Sequence, residues 1–429
     1  MVKRHSIFSF MQGNVLVLIV STFLMRFSTT LGWPYFSLHV LALGGSPIIV
    51  GMVYSIGVLA GLPTFPLGGY IADHRGRVKL VGVMTFLEAF MKIFFIVARH
   101  WLFMVVGLFL WQLICIHYSI AQAIMADSLP PDRRGIGFAT ALALPNIAGV
   151  VAPFISGYMI DISGGGSIGV RTAMPLLWTM SLIIGVVAGI IRLRFLKETL
   201  KHTSSNSSLK HVPLLVKESY KSVGESLRWM TKPLWAIALI SMVITFFVSV
   251  ASPFWIIYAT SVIGLSPGSW GSLIFLLGIV QICLMIPMGY LIDRYGVRKL
   301  IIVALSMAIM PVFLFTFCRS FLQVFVALLS LTLVNAILSP AFSSLKANLI
   351  PRKRRGRLLT LLGHSVRIAW GSAWAMGILL FLPMSAGMLL GGYIYDWNPQ
   401  YPWIIFSLAI IFCLLLTIRF IREPEKPEI

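Results

Sequence analysis

The sequence predicts an all-α polytopic membrane protein whose twelve transmembrane helices form two six-helix bundles related by a pseudo-twofold axis. Three observations predict this fold. Hydrophobic residues make up 58% of the 429 positions and charged residues only 11%, a composition that the core of a soluble protein could not bury. Apolar runs of about 18 to 25 residues recur, each long enough to cross a hydrocarbon layer of roughly 30 Å. Polar landmarks of the first half also return in the same order in the second half.

Hydropathy divides the chain into twelve apolar spans, numbered in chain order. They cover residues 14–33, 46–70, 79–98, 101–123, 137–160, 172–195, 234–258, 268–291, 300–318, 321–346, 376–395 and 402–420. These runs are too long and too even for β-barrel strands, in which polar and apolar residues alternate. The first run is also too long for the core of a signal peptide. We therefore expect an N-terminal bundle (1–195), a linker loop rich in Ser and Lys (196–233) and a C-terminal bundle (234–429).

The basic residues are distributed asymmetrically across the predicted membrane. Of the 34 Lys and Arg residues, 28 fall in the termini and in loops on one face, whereas the opposite face holds only Arg99, Arg171 and Arg319. By the positive-inside rule, the termini and the linker are expected in the cytoplasm and the protein in the cell (plasma) membrane. The net charge of +21 could suggest nucleic-acid binding, but a nucleic-acid surface would not alternate between faces in this way.

The sequence gives no signal for an enzyme or a metal site. The four cysteines (Cys115, Cys283, Cys318 and Cys413) lie inside apolar spans without CxxC spacing, which indicates packing rather than disulfides or metal binding. The sequence has no HExxH motif and no Cys-His cluster, which disfavours a membrane-embedded enzyme. It also has no GxxxxGK[ST] loop, which disfavours an ATP-driven pump.

Three landmarks define the internal repeat. GGYIADHRGRVK (68–79) returns as GYLIDRYGVRK (289–299), ADSLPPDRRG (126–135) as ANLIPRKRRG (347–356), and SGYMID (156–161) as GGYIYD (391–396). The last offset exceeds the second by 14 residues, so the second half contains about 14 extra residues before span 11. Residues 356–374 mix apolar, aromatic and basic side chains as in an interfacial helix. We therefore expect His364 and Arg367 at the cytoplasmic surface.

These features resemble the major facilitator superfamily of secondary transporters over essentially the whole chain. The resemblance implies a secondary active transporter that works by alternating access, with a cytoplasmic latch in which Asp73 lies near the start of span 11 and Arg77 pairs with Asp127. The alternative is that these charges only enforce topology. His74 and Val297 depart from the usual pattern. The predicted gate residues are Gly69, Asp73, Arg75, Gly76, Arg77, Asp127 and Arg134 in the first half and Gly289, Asp293, Arg294, Gly296, Arg298 and Arg355 in the second half.

In this family, spans 1, 4, 7 and 10 line a central cavity, so polar residues on and beside these spans are candidates for the substrate path. The alternative is that they bond one helix to another. Arg26 would hold an anionic or acceptor-rich substrate, or would be a structural arginine bonded to backbone carbonyls or to an acid. The candidates are Arg26, Thr29, Thr30, Trp33, Tyr54, Gln112, Ser119, Gln122, Thr245, Ser249, Ser252, Gln281, Asn335, Ser339 and Ser343.

Glu88 and His117 are the candidates for proton coupling. Glu88 precedes Lys92 by four residues in span 3, a spacing that favours a structural ion pair but also allows a proton site. His117 in span 4 could titrate near neutral pH or be a buried, hydrogen-bonded histidine. In the sequence, no span of the second half carries an acid near its middle. A coupling carboxylate must then come from the first half, either Glu88 or an acid near a helix end, Asp127 or Asp161.

The direction of transport is indicated by span 5. GVVAPFISG (149–157) is similar to a glycine- and proline-rich signature of the antiporter branches, and its small residues Gly149, Pro153 and Gly157 would let spans 5 and 8 approach as a moving seam. An arginine that drug-proton antiporters carry early in span 4 is missing, with Leu108 near that place. We expect export of a small organic solute, possible coupling to protons, and a monomer without cofactor, metal or nucleic-acid partner. The alternative is uptake of a sugar or organic anion by symport or uniport.

Overall fold

The protein is helical throughout the part of the chain that the structure describes. The structure is a computed structural model that describes residues 11–64, 76–114, 117–130, 134–199, 212–351, 355–363, 366–368 and 377–421. Within these ranges every regular element is an α-helix or a short 3-10 helix. The predicted all-α fold class is confirmed.

The helices of both halves follow the predicted spans closely. In the first half they are Gly13–Gly32 with Phe36–Ala42 (span 1), Pro47–Gly61 (span 2), Arg77–Met91 with Ile93–Ile96 (span 3), Trp101–Ile114 with His117–Ser128 (span 4), Arg134–Ile162 (span 5) and Gly166–Phe195 (span 6). In the second half they are Lys232–Ala251 with Trp255–Ser261 (span 7), Pro267–Tyr295 (span 8), Val297–Leu314 (span 9), Phe321–Leu349 (span 10), Ile378–Trp397 (span 11) and Tyr401–Phe420 (span 12).

Spans 1 and 7 are each interrupted by a short 3-10 turn that contains a proline. A 3-10 turn, Trp33–Tyr35, interrupts span 1, and a second one, Ser252–Phe254, interrupts span 7. Each contains a proline in its first turn, where the missing N–H removes no intrahelical hydrogen bond. The predicted end of span 1 near residue 33 was therefore too early, because the helix resumes after Pro34 and ends at Ala42.

The outer surface of the bundles is suited to lipid. Of the described helices, nine are long and apolar enough to cross a bilayer, and the shorter apolar helices Pro47–Gly61 and Trp101–Ile114 belong to spans 2 and 4. Large apolar side chains such as Leu102, Ile183 and Leu322 are more than half exposed. Such a surface is unfavourable in water but is what a lipid-facing helix requires.

The same helix pairs are packed together in both halves. Span 1 packs on spans 5 and 6, span 2 on span 4 and span 3 on span 6; span 7 likewise packs on spans 11 and 12, span 8 on span 10 and span 9 on span 12. Between the halves, span 2 packs against span 11 and span 5 against span 8. Span 8 is the counterpart of span 2, and span 11 is the counterpart of span 5. A pseudo-twofold axis therefore maps the contact between spans 2 and 11 onto the contact between spans 8 and 5.

Two additional helices lie outside the spans. The linker helix (Val212–Trp229) precedes span 7, and the insertion helix (Arg355–Leu362) follows span 10. They meet in a separate apolar cluster that includes Leu234, Ile350 and Leu358. The linker was predicted to be a loop; hydropathy missed its helix because polar residues alternate with apolar ones that cover only one face. We call the membrane face that carries the linker helix the linker face, and the opposite one the far face.

Candidate transport site

The first copy of the repeated motif lies at the linker face, where span 3 begins. Gly76 directly precedes the helix and has φ of 82°, a conformation that glycine adopts without strain. The Nη1 atom of Arg77 lies 2.5 Å from Oδ2 of Asp127 at the end of span 4. This ion pair joins two helices of one bundle. The predicted gate residues Gly69, Asp73 and Arg75 lie outside the described residues.

A carboxylate that sequence analysis missed caps the same helix. Oε2 of Glu198 accepts hydrogen bonds from the backbone N–H groups of Arg77 and Val78 at 2.9 and 3.1 Å. The first N–H groups of a helix have no intrahelical partner, and a negative charge is favourable beside them. Glu198 follows Arg77 by 121 residues, so no local spacing could have indicated this contact.

The second copy of the motif has the same backbone but a different partner. Gly296 has φ of 85° and directly precedes span 9, as Gly76 precedes span 3. Nη2 of Arg298 donates to the backbone carbonyl of Ile418 at 2.8 Å. Arg294 is exposed, and the space around Gly289 is open. Three further predicted gate residues lie in described helices, but their side chains are outside the described part: Arg134, Asp293 and Arg355.

Glu88 and His117 form a buried pair inside the N-terminal bundle. Both side chains are 0% exposed, and Nε2 of His117 lies 3.1 Å from Oε2 of Glu88. The other ring nitrogen, Nδ1, lies 3.1 Å from the carbonyl oxygen of Ile114, and the hydroxyl of Tyr118 donates to Glu88 at 3.0 Å. When Nδ1 donates to the carbonyl oxygen, Nε2 faces the Glu88 carboxylate, and no other group is bonded to this nitrogen among the described residues.

Lys92 does not contact Glu88 in the way that helical spacing predicted. Its Nζ atom lies 2.5 Å from the hydroxyl of Ser28 and 3.3 Å from the carbonyl oxygen of Ser181, on spans 1 and 6. It remains near enough to attract the Glu88 carboxylate electrostatically. The close side-chain contact of Glu88 is with His117, a residue of another helix, and sequence spacing within span 3 could not show this.

Arg192 of span 6 is a second buried cation inside the N-terminal bundle. Its guanidinium donates to the hydroxyls of Ser21, Thr22 and Thr85 at 3.0, 3.2 and 2.8 Å. Only 1% of Arg192 is exposed. Neutral hydroxyls on spans 1 and 3 therefore hold this charge, so Arg192 joins three helices of the N-terminal bundle.

Arg26 lies near the middle of span 1, about 20 Å along the helix from Gly13. Its Nη2 atom lies 3.5 Å from Oδ1 of Asn146 on span 5. Its aliphatic part passes over Gly149, where a Cβ would come within 3.5 Å of Arg26 Cγ. Gly149 thus faces span 1 rather than the seam with span 8. Among the residues that the structure describes, no carboxylate lies within ion-pair distance of Arg26.

The other candidate cavity residues of the first half fall into different environments. Trp33 packs edge-on against Tyr54 and Trp111, with ring centroids 5.6 and 5.2 Å apart. The hydroxyl of Thr30 donates to the carbonyl oxygen of Arg26 within the same helix, at 2.7 Å. These residues therefore contribute to packing. Thr29 is buried, Gln112 is half-buried, Gln122 is exposed, and the side chain of Ser119 is outside the described part.

In the second half, most candidate residues on spans 7, 8 and 10 are half-buried. The hydroxyl of Ser343 donates to the carbonyl oxygen of Ser339 at 2.9 Å, a bond within span 10. Ser249 is buried against Gly387 of span 11, where an added Cβ would lie 3.0 Å from Ser249 Cβ. Thr245, Ser252 and Gln281 are half-buried. Asn335 is buried and differs from the others in its partner.

Asn335 and Lys346 of span 10 hold two described stretches of the chain, residues 362–363 and 366–368, which we together call the re-entrant segment. The Asn335 amide donates to the carbonyl oxygen of Ile368 and accepts from its N–H at 2.7 Å. Nζ of the fully buried Lys346 donates to the carbonyl oxygens of Leu362 and Gly363, both at 3.0 Å. Residues 335 and 346 are about 16 Å apart along the helix. Ile368 therefore lies beside the middle of span 10, whereas Leu362 and Gly363 are held from nearer its linker-face end.

The expected position of Arg367 at the cytoplasmic surface is thus wrong. Asn335 lies at the centre of the helix Phe321–Leu349, about 21 Å from either end, and it holds the residue next to Arg367. A mixed segment can enter the membrane when its backbone groups are bonded by protein, here by Asn335 and Lys346. The hydropathy of a sequence cannot show that side chains elsewhere in the protein will bond the backbone groups of such a segment. His364, which was expected at the same surface, lies outside the described residues.

Two glycines form the neck of this insertion. Gly363 has φ of 70°, and a Cβ on Gly377 would overlap with the carbonyl oxygen of Leu361 and the amide nitrogen of Gly363. The chain therefore leaves the insertion helix and returns to span 11 at one place. The 14 positions that separate the two glycines match the 14 extra residues predicted for the second half.

The two bundles are in close contact toward the far face. A Cβ on Gly157 of span 5 would overlap with the carbonyl oxygen of Pro267 at the start of span 8. The Tyr35 hydroxyl lies 2.7 Å from the carbonyl oxygen of Pro153 and 3.2 Å from that of Pro267, so it bridges the bundles. On the opposite side of the molecule, the hydroxyls of Ser55 and Ser385 are 2.7 Å apart.

Asp161 adds a polar contact to the same seam. Its Oδ2 atom accepts from the hydroxyl of Ser266 at 2.7 Å and from the backbone N–H of Gly268 at 3.0 Å. A carboxylate of the N-terminal bundle thus caps the first turn of span 8 in the C-terminal bundle. Asp161 is therefore part of the far-face seam; sequence analysis had named it as an acid near a helix end that could be a coupling carboxylate.

The family model for the Major Facilitator Superfamily matches residues 18–373 and 237–429. The chain belongs to this superfamily. It is therefore a membrane transporter rather than an enzyme, and secondary transport by alternating access is its mode of action. The predicted superfamily membership is confirmed.

Two relatives are similar to this transporter over most of its length. It is 22% identical over 418 residues to an arabinose-proton symporter of Bacillus subtilis (strain 168), covering 90% of this chain and 86% of the relative. It is also 22% identical over 366 residues to a multi-drug resistance efflux pump PmrA homolog of Lactococcus lactis, covering 80% of this chain and 82% of the relative. The two relatives differ in solute and direction, so they support the transporter class but not one direction.

Solved structures share the fold of this superfamily member. A mutant of the nucleoside transporter NupG matches with a TM-score of 0.69 and 14% identity, covering 95% of this chain and all of that one. A bacterial homolog of the human lysosomal transporter Spinster, in an inward-facing conformation, gives 0.67 and 14%, covering 96% and 98%. The human organic anion transporter MFSD10 gives 0.61 and 16%, covering 94% and 98%. At these identities the likeness shows the fold alone.

Proposed function

We propose that this transporter exports small organic solutes in exchange for protons, with Glu88 and His117 as the proton-binding pair. The observation that carries the proposal is the 3.1 Å contact between two fully buried titratable groups inside the membrane. An ionisable group at this depth is unfavourable unless it has a partner or a function. Glu88 and His117 each provide the other with such a partner, and together they can lose or gain a proton without a free charge in lipid.

Tyr118 connects this pair to the centre of the molecule. Its hydroxyl donates to Glu88, and it also lies near enough to Arg26 to interact electrostatically. Loss of the shared proton would leave a net negative charge on the pair, and Lys92 and Arg192 lie near enough to stabilise that charge. A change in protonation would thus be felt at Arg26 through Tyr118. This arrangement supports coupling between protons and a solute bound at the centre.

The moving parts in this proposal are the two bundles, residues 1–195 and 234–429. They would rock about the seams between spans 2 and 11 and between spans 5 and 8, which carry the close contacts of Gly157 and Ser55. Export is supported by the small residues of span 5 and by the similarity to an efflux pump homolog. Uptake of a sugar or organic anion is the second candidate, supported by the similarity to an arabinose-proton symporter and by the central Arg26.

Proteoliposomes with a panel of radiolabelled compounds and an imposed pH gradient test this function. Transport should depend on the gradient in the wild-type protein, and solute and protons should move in opposite directions. Glu88→Gln should abolish proton-driven transport while solute exchange at equal pH remains, because the amide cannot release a proton. Glu225→Gln, an exposed acid of the linker helix, is the matched control and should transport normally. Transport without any dependence on the gradient would reject proton coupling, and parallel movement of solute and protons would reject export.

The proposed location is the plasma membrane, with both termini and the linker helix in the cytoplasm and a monomer as the working unit. The concentration of Lys and Arg at the linker face supports this orientation. Single cysteines placed in the linker helix should react with an impermeant maleimide in inside-out vesicles but not in intact cells. Reaction in intact cells would reverse the proposed orientation.

A further inference from the structure

We infer that His39 is a second proton-binding site of this transporter, and that the proton it takes up opens the far face. His39 belongs to the far half of span 1 (Phe36–Ala42), which resumes after the 3-10 turn at Pro34. Only 1% of the residue is exposed. The inference goes beyond the proposed pair of Glu88 and His117, because it concerns a different histidine and the state of the far face rather than the solute.

The hydrogen bond of His39 requires a neutral ring. The indole Nε1 of Trp178 on span 6 donates to Nδ1 of His39 at 3.3 Å. An indole N–H only donates, so Nδ1 accepts and carries no hydrogen. The indole is held in place, because a Cβ on Gly32 would overlap with its ring on one side and the Phe95 ring packs 4.8 Å from it. An additional proton on His39 therefore breaks this bond and sets two donors against each other.

The elements around His39 provide no negative charge that could accompany a proton. Its helix contacts described helices of five other spans and the 3-10 turn of span 1: Ile93–Ile96, Pro47–Gly61, Trp101–Ile114, Gly166–Phe195, Trp255–Ser261 and Trp33–Tyr35. None of these elements contains an Asp or Glu residue. Toward the far face they carry four charged or titratable side chains, each bonded to another group: Tyr35, Tyr54, Arg171 and Tyr258. An imidazolium here would be an isolated buried charge, which is unfavourable.

The helix that carries His39 is also part of the closed far face. It packs against the far half of span 7 (Trp255–Ser261) in the other bundle. The hydroxyl of Tyr35, directly before the helix, donates to the carbonyl oxygen of Pro267 at the start of span 8. Trp178 anchors the same helix to span 6 of its own bundle. Protonation of His39 removes this anchor from a helix that contacts both bundles, and water that enters between parted bundles solvates the new charge.

The corresponding place in the C-terminal bundle holds a residue that takes up no proton. His39 is the fourth residue of the helix that follows the 3-10 turn of span 1, and Tyr258 is the fourth residue of the helix that follows the turn of span 7. The Tyr258 hydroxyl donates to the carbonyl oxygen of Thr316 at 2.7 Å. The response to acid is thus assigned to one bundle and to one residue, which a single substitution can remove.

Distances between spin labels across the far face test the site in the purified full-length protein without any solute. The labels are attached to cysteines that replace the exposed residues Ile168 and Ser261, in a variant without the four native cysteines. A histidine that reaches water takes up a proton at about pH 6.5. A site that binds the proton only in the open arrangement should raise the ratio of open to closed molecules about 30-fold from about pH 8 to about pH 5.

Variants of the titratable groups assign this response to a residue. His39→Gln keeps an oxygen that can accept from Trp178 but takes up no proton, so the ratio should not change with pH. His100→Gln, which removes an exposed histidine of the far face, is the matched control and should respond as the wild type does. Glu88→Gln and Asp161→Asn should also keep the increase at low pH, because neither removes His39.

The outcomes separate the His39 site from the proposed transport function. If the wild-type distances do not change with pH, or if His39→Gln responds as the wild type does, the site is rejected. A response that is lost in Glu88→Gln or Asp161→Asn but kept in His39→Gln assigns it to a carboxylate and also rejects the site. Opening that depends on His39 supports the site even if transport in proteoliposomes ignores the pH gradient. If His39→Gln does not fold, His39→Asn replaces it with the same expectation.

Discussion

Replacement of Asn335 by Leu should release the re-entrant segment from span 10. The substitution keeps the approximate volume of the side chain but removes both hydrogen bonds to the backbone of Ile368. A buried polar group without a partner costs about 1 to 3 kcal/mol, so the N–H and the carbonyl group together cost about 2 to 6 kcal/mol. At 1.4 kcal/mol for each factor of ten, the equilibrium for release rises roughly 30-fold or more. Lys346 would still hold the beginning of the segment through Leu362 and Gly363.

The measurement is the reaction rate of a single cysteine at position 366. In a variant without the four native cysteines, Val366→Cys should react slowly with an impermeant maleimide, because Val366 is 4% exposed. Asn335→Leu should accelerate this reaction at least tenfold. Ser330→Leu, which changes a hydroxyl bonded within span 10, is the matched control and should leave the rate unchanged. Equal rates with and without the Asn335→Leu substitution would refute the reasoning, since they would mean that the amide does not hold the segment.

Three further predictions concern the contacts between helices. Asp161→Asn removes a negative charge at the first turn of span 8, and such a charge stabilises a helix start by about 0.3 to 1 kcal/mol. Spin-label distances across the far-face seam should therefore show that the population with an open seam rises about 2- to 5-fold. An unchanged distance distribution would contradict this role. Gly157→Leu should prevent closure of the seam and abolish transport, because even a Cβ there overlaps with backbone; wild-type transport rates would disprove it. A double-mutant cycle of Arg77→Ala and Asp127→Ala on the free energy of unfolding should give a coupling energy of at most about 1 kcal/mol that decreases with salt. The reason is that the Asp127 side chain is 46% exposed, so solvent screens the ion pair. A larger coupling energy that does not change with salt would show that the pair is not screened.

The fold could be predicted because its determinants are local or periodic in the sequence. Apolar length fixes where helices cross the membrane, and glycines with positive φ recur at Gly76 and Gly296 because the same reversal is made twice. The hydropathy prediction failed where a helix does not coincide with one continuous apolar run. The linker helix is amphipathic, and span 1 resumes after Pro34, so neither has the simple apolar run on which the prediction depended.

The polar contacts of the candidate site could be predicted only in part. Arg77 and Asp127 were paired through a family resemblance, and the structure places them 2.5 Å apart. The partners of Glu88 and Asn335 come from other helices or from an insertion, and their sequence separations of 30 and 33 residues follow no fixed period. Lys346 lies at the predicted end of span 10, where a lysine would be expected to reach water, yet it is fully buried. For a charged residue near the end of an apolar span, the sequence does not reveal whether the side chain faces water or a backbone carbonyl.

The two bundles have diverged in their interiors while they have kept a common frame. The N-terminal bundle holds the buried carboxylate Glu88 in contact with His117 and near Lys92. The C-terminal bundle uses its single buried lysine, Lys346 among the described residues, and Asn335 to hold backbone. One bundle therefore holds titratable groups in contact with each other, whereas the other uses its polar groups to hold backbone beside span 10. Coupling requires that proton binding and solute binding influence each other, and in the proposed mechanism Tyr118, which bonds to Glu88 and interacts electrostatically with Arg26, is the residue through which that influence would pass.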